Sequence, residues 1–116
     1  MDTVKIYGIP NCDTVKKAIT YLKDNQVPYI FHNFKTDGIS PEKLKEWFET
    51  FGFNKVVNKS SSTYRALEDK SLVETPESAI KILQATPSMI KRPILENGNN
   101  KRIGFKKEEY DELFLK

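Results

Sequence analysis

Apolar and polar residues alternate over Val4-Lys5-Ile6-Tyr7, which predicts a short strand. Gly8-Ile9-Pro10-Asn11 breaks the pattern. Val15, Ala18, Ile19 and Leu22 then recur at i, i+3, i+4 and i+7, with Lys16, Lys17, Thr20 and Lys23 on the other side. That is the stripe of an amphipathic helix, ending near Asn25. Pro28 to Phe34 is aromatic and β-branched and predicts a second strand that includes Phe31, His32 and Phe34. Two strands joined through a helix pair in parallel.

Ser40-Pro41 opens a further helix, serine as cap and proline in the first turn. Leu44, Trp47, Phe48 and Phe51 form its apolar face, and Gly52 stops it in a left-handed turn. The helical spacing of these aromatics assigns them to a core rather than to a base-stacking surface. Thr63 to Leu67 predicts a short helix capped by Ser62 or Thr63. Thr75-Pro76 opens a helix lined by Ala79, Ile80 and Leu83, and Thr86-Pro87 opens a short turn. Pro93 to Glu96 reads as a strand, Asn97-Gly98-Asn99-Asn100 as a turn, and Arg102 to Phe105 as the returning strand. Tyr110, Leu113 and Phe114 mark a last helix. The order β-α-β, helices, β-β, α predicts an α/β fold with a mixed sheet and a helical insertion over about residues 38–90.

The composition narrows the function classes. At 116 residues the chain is one domain's worth. Nineteen basic against sixteen acidic residues leave a net charge of +3, with both signs scattered. No phosphate track results, so direct nucleic-acid binding is not expected. No apolar run suits a membrane span, and no basic start followed by an apolar stretch suggests a signal peptide, so a cytoplasmic location is expected. One cysteine excludes an internal disulfide and a multi-cysteine zinc site, and one histidine argues further against a metal. His32 reads as structural. The single histidine also lacks a G-x-S-x-G partner motif for serine chemistry.

Cys12 is the candidate for chemistry. It lies in Pro10-Asn11-Cys12-Asp13-Thr14, between the first strand and its helix. The positive end of a helix dipole favours the thiolate, the reactive form as nucleophile or redox centre. Lys16 and Lys17 add positive charge in the next turn, and Asp13 opposes it. Arg92, before Pro93, has the planar fork suited to an oxyanion or carboxylate. On the residues alone, a loop arginine on the surface is the competing reading, and Arg65 and Lys91 are weaker candidates of the same kind. The hydroxyls of Ser60 to Thr63 serve either an anion or a helix cap.

Three segments carry a family resemblance: Tyr7 to Ala18, Asn58 to Leu67, and Ile90-Lys91-Arg92-Pro93-Ile94-Leu95, with Gly104-Phe105 before the last helix. They resemble the arsenate reductase-like family that includes ArsC, Spx and YffB, most closely the YffB-like branch. The resemblance runs essentially from end to end. It implies a thioredoxin-like fold with an inserted helical subdomain and no bound cofactor. It implies Cys12 as redox nucleophile, Arg92 as the anion-holding arginine beside it, and Pro93 as a cis-proline facing the cysteine. Asn11, Lys16, Asn58 and Lys59 fall at positions suited to the same anion. The arsenate reductases form a cysteine–arsenate adduct that glutathione and glutaredoxin resolve.

Those reductases use three arginines. Here Arg92 matches, the second position falls near Asn58 with Lys59 beside it, and the third falls near Phe105. Much of the charge-assisted hold on arsenate is thereby lost. Thiol reduction drawing on glutathione, another small thiol, glutaredoxin or thioredoxin suits what is left. The Spx branch implies an alternative, a transcriptional regulator docking on the RNA polymerase alpha subunit. Its C-x-x-C pair is absent, because Val15 holds the second position. Gly52 matches a glycine that those regulators use at the polymerase contact, a position that helix capping also explains.

Overall fold

The alternating segment forms strand β1 (Val4–Gly8) in the computed structural model, which describes residues 3–115. In chain order follow helix α1 (Asp13–Asp24), strand β2 (Tyr29–Asn33), the short α2 (Phe34–Asp37), α3 (Pro41–Phe51), the short α4 (Phe53–Val56) and the short α5 (Ser62–Arg65). A 3-10 turn (Lys70–Val73), α6 (Pro76–Ala85), a second 3-10 turn (Pro87–Met89), the strands β3 (Ile94–Asn97) and β4 (Asn100–Ile103), and α7 (Lys107–Phe114) complete the order. The sheet runs β2-β1-β3-β4. β1 and β2 are parallel, joined through α1, whereas β3 is antiparallel to both β1 and β4. This is the α/β arrangement with a mixed sheet that the sequence predicts.

The chain divides into two compact units: residues up to Phe34 together with those from Arg92 onward, and Lys35–Lys91. In the first unit, Val4, Ile6 and Gly8 share the sheet face on which α1 packs. A Cβ built at Gly8 would lie 2.7 Å from Val15 Cγ2. Val4, Ile6, Ala18, Tyr21, Leu22, Leu95 and Tyr110 form the core there, and Leu113 and Phe114 of α7 pack against it. Each large aliphatic side chain buried in this way stabilises the fold by about 1.5–3 kcal/mol. The Tyr21 hydroxyl donates to Asp111 Oδ1 at 2.6 Å, and Lys107 Nζ donates to Asp111 Oδ2 at 2.8 Å, so α1 and α7 are also tied by a polar link. Burial, then the Asp111 carboxylate, pushes the Tyr21 phenol up to about 12. Lys107 first and Tyr21 second hold the Asp111 carboxyl below its ordinary value. β3 and β4 turn through Gly98-Asn99. Positive φ at Gly98 (61°), and not at Asn99, fits a type II′ hairpin.

In the second unit, α3 packs on α6 around the buried Leu44, Trp47, Phe48, Ala79, Ile80 and Leu83. Ser40 caps α3, its hydroxyl accepting from Lys43 N at 3.1 Å, and Thr75 caps α6 in the same way. Residues 56–58 and 89–91 pair across a single bridge, Val57 opposite Ile90.

The structure departs from the sequence pattern at four places. Phe34 is not the end of a strand; it opens α2 and is buried. The short helix after the serine run is Ser62–Arg65, and its cap is Ser61, which accepts from Tyr64 N. Gly52 does end α3 with positive φ, but its ψ of 137° lies outside the left-handed helical region. β4 begins at Asn100, the last residue of the Asn97–Asn100 turn and two residues before the expected start, and Gly104-Phe105 lies beyond the strand.

Candidate active site

Because β1 and β2 are parallel, both deliver their C-terminal ends to the same edge of the sheet. Antiparallel pairing brings the start of β3 there too, with Ile94 opposite Tyr7. β4 ends at that edge as well, and Gly104 N donates to Pro93 O at 2.8 Å. The Gly8–Cys12 turn and the Arg92–Pro93 segment therefore occupy one end of one sheet. The chain places them far apart in sequence, and the strand pairing brings them together.

Cys12 is the N-cap residue of α1, with extended φ and ψ of −112° and 122°. Its carbonyl accepts from Lys16 N at 3.0 Å, closing the first helical turn. Its side chain makes no capping bond, and the residue is half-buried with a free thiol. The positive end of the α1 dipole lies at this residue. Asn11 and Lys16 flank it and are exposed. Across the sheet end, Arg92 is half-buried, Pro93 is buried, and the bond between them is cis.

Asn58 and Lys59 belong to the other unit. Asn58 is held by its backbone, N to Met89 O at 2.8 Å, and its Oδ1 accepts from Ser60 N at 3.1 Å. Its carboxamide oxygen is thus occupied locally, and Lys59 is exposed. Ser61 and Thr63 are also engaged within the unit, Thr63 accepting from Ser88 Oγ at 3.1 Å. The serine run is a capping element there. Among the described residues no group of three or more His, Cys, Asp or Glu side chains could hold a metal ion. No helix among them is long and apolar enough to cross a membrane.

One feature behind the site has no counterpart among the sequence candidates. The Tyr7 hydroxyl donates to Glu96 Oε1 at 3.0 Å, with both residues buried. The Tyr7 ring also lies 4.8 Å from that of His32, which fits the structural reading of His32. Glu96 stands in β3 between Leu95 and Asn97, and a strand carboxylate ordinarily reads as solvent-facing.

Residues 7–113 match the ArsC family. The chain belongs to that family. An uncharacterized protein of Haemophilus influenzae is 38% identical over 114 residues, covering 96% of this chain and 98% of its own. A solved structure described as the YFFB protein is 40% identical, with a TM-score of 0.90 over 97% of this chain and 99% of that one. An ArsC-related protein from Brucella melitensis is 37% identical with a TM-score of 0.73, covering 97% and 94%. More distant ArsC relatives include the global transcriptional regulator Spx 1 of Bacillus cereus, 25% identical over 91% of this chain and 82% of its own. The architecture and the YffB-like placement expected from the sequence both hold. ArsC proteins include arsenate reductases, one of known structure coming from Vibrio cholerae, and its 21% identity carries the fold alone.

Proposed function

We propose that this ArsC-family protein is a cytoplasmic thiol-dependent oxidoreductase in which Cys12 is the nucleophile and Arg92 holds an anionic group of the substrate. The supporting observation is the shared sheet end: an uncapped, half-buried thiol at the start of α1, and a half-buried arginine opening the adjacent strand. Asn11 and Lys16 supply further polar and positive groups beside the thiol, and Asn58 and Lys59 are proposed as secondary contacts to the anion. Residues 38–90 act as a helical insertion in the thioredoxin-like domain.

The chemistry is thiol–disulfide exchange. The Cys12 thiolate attacks one sulfur of a substrate disulfide, forming a mixed disulfide and releasing the other half as a thiolate. An external thiolate then attacks the mixed disulfide, freeing Cys12 and carrying off the second half. A second external thiolate releases that half as a thiol. Overall, two external thiols become one disulfide and the substrate disulfide becomes two thiols. The external donor is required because the chain has one cysteine and so no resolving partner. Glutathione is the proposed donor, with glutaredoxin or thioredoxin as protein alternatives. Arsenate is a poor substrate, since a single arginine holds it.

Intact mass after exposure to oxidised glutathione tests the proposal. One glutathione adduct is expected, absent in Cys12→Ser, and reduced glutathione should remove it. A native thiol that resists the reagent would overturn the enzyme reading. Tight, Gly52-dependent capture by the RNA polymerase alpha C-terminal domain, without thiol turnover, would favour the regulator instead.

A further inference from the structure

Among the described residues, Glu96 is the one buried side chain that carries a formal charge, at 9% exposure. Its strand neighbours Ile94 and Leu95 are fully buried. Withdrawing a carboxylate from water costs several kcal/mol unless partners compensate, and an apolar residue would fill the same space without that cost. Glu96 therefore calls for a reason other than packing.

The geometry supplies one. The β1–β3 ladder pairs Val4 with Asn97, Lys5 with Glu96, Ile6 with Leu95, and Tyr7 with Ile94, and then stops. The next residue on the β3 side is Pro93, which has no N–H to donate. Backbone pairing thus ends just short of the two segments that carry Cys12 and Arg92. The Tyr7–Glu96 bond crosses the ladder diagonally at that end, a spacing that aromatic side chains span. The tie is stiff. The Tyr7 ring packs against His32 at 4.8 Å and Phe34 at 6.3 Å, which links it to β2 and to the start of α2. One side chain thereby connects the three neighbouring strands β1, β2 and β3 close to the site.

We propose that Tyr7 and Glu96 are positioning residues: their hydrogen bond fixes β1, which leads toward Cys12, against β3, which follows Arg92-Pro93. The proposal rests on the thiol chemistry proposed above. A displacement of about 1 Å between a nucleophile and its binding group can cost up to 100-fold in rate. Its loss acts selectively on reagents that need both groups.

Two reagents separate positioning from stability. Iodoacetamide is neutral and requires Cys12 alone. Oxidised glutathione carries carboxylates and requires Cys12 and Arg92 together. The readout is the ratio of the second-order rate with oxidised glutathione to that with iodoacetamide, measured on the full chain. Tyr7→Phe keeps the ring contacts and removes the hydroxyl, and it should lower the ratio ~10-fold. Glu96→Leu should do the same. Glu96→Gln keeps an acceptor oxygen and should restore the ratio to within about 2-fold of wild type. Partial unfolding would move both rates together and leave the ratio fixed, so an unchanged ratio in Tyr7→Phe overturns the proposal. A Glu96→Gln ratio as low as that of Glu96→Leu also overturns it. If Glu96→Leu does not fold, Tyr7→Phe against wild type still decides. Arg92→Ala is the control. If it leaves the ratio unchanged, the reading of the site fails and the positioning role with it. If it lowers the ratio and Tyr7→Phe does not, only the positioning role fails.

Discussion

Gly8 is where the packing of α1 on the sheet leaves no room for a side chain, and Gly8→Ala tests how tightly that contact sets the site. The added Cβ would lie 2.7 Å from Val15 Cγ2, 3.4 Å from Cγ1 and 3.6 Å from Cβ. Carbon pairs rest near 3.5–4.0 Å, so about 1 Å of relief is needed. Val15 cannot provide it cheaply. Its β-branched side chain has one strongly preferred rotamer in a helix, and it is fully buried. The helix must move instead, and overpacking of this kind costs about 1–3 kcal/mol. Val15→Ala alone removes two methyl groups, worth about 1.6 kcal/mol of transfer free energy, plus a cavity term. The double variant should be more stable than the sum of the singles implies, by about 1 kcal/mol or more, since each change relieves the other. Urea unfolding of all four proteins closes the cycle. Because α1 begins beside Cys12, Gly8→Ala should also slow Cys12 alkylation, with recovery in the double variant. Additivity within about 0.5 kcal/mol would show that the helix accommodates the methyl freely and that the close contact does not hold α1 in place.

Other consequences are open to direct measurement. No protein group among the described residues bonds the Tyr110 hydroxyl, which is buried in the core; Tyr110→Phe should leave stability unchanged or raise it by about 1 kcal/mol in urea titration, and a clear loss would contradict this. Ser40→Ala removes the cap of α3 and should cost about 1 kcal/mol, whereas Ser40→Asp should restore it. The raised Tyr21 phenol favours the native state below the ordinary tyrosine value of about 10. That contribution fades as pH rises from there toward about 12, so the melting temperature of wild type should fall more steeply than that of Tyr21→Phe over this range. The lowered Asp111 carboxyl works in the opposite window. Its contribution is present above about pH 3.9 and is lost as pH falls through the lower native value, so Asp111→Asn should flatten the acid limb.

What the sequence discloses depends on whether a residue's role is local. β1, α1 and the Gly98-Asn99 hairpin are legible because period 2, period 3.6 and turn chemistry lie in adjacent residues. The four-residue helices α4 and α5 are too short to show a period. Phe34 follows a run of strand-forming residues, and its burial suits a strand or a helical turn equally. In the run Ser60-Ser61-Ser62-Thr63 every hydroxyl is a possible cap. Ser61 takes the role because its N–H bonds Asn58 O, which fixes where the turn closes. Cys12 is legible for the same local reason that the strand is: the break between β1 and α1 is punctuated on both sides. Glu96 is not, because its burial depends on Tyr7 arriving from a strand 89 residues earlier.

The register of β1 against β3 decides whether a site exists at this end of the sheet, and the core enforces that register. A slip of one residue would turn every β3 side chain to the opposite face. Leu95 would give up its place beside Ile6, Leu22 and Tyr110 for the face on which Ile94 now lies. Glu96 would enter that core away from Tyr7, and placing a carboxylate among apolar side chains costs several kcal/mol. That cost disfavours the slipped register. Arg92 and Cys12 therefore need no direct bond to hold their places. The alternation Ile94, Leu95, Glu96 fixes the strand, and the strand fixes the arginine.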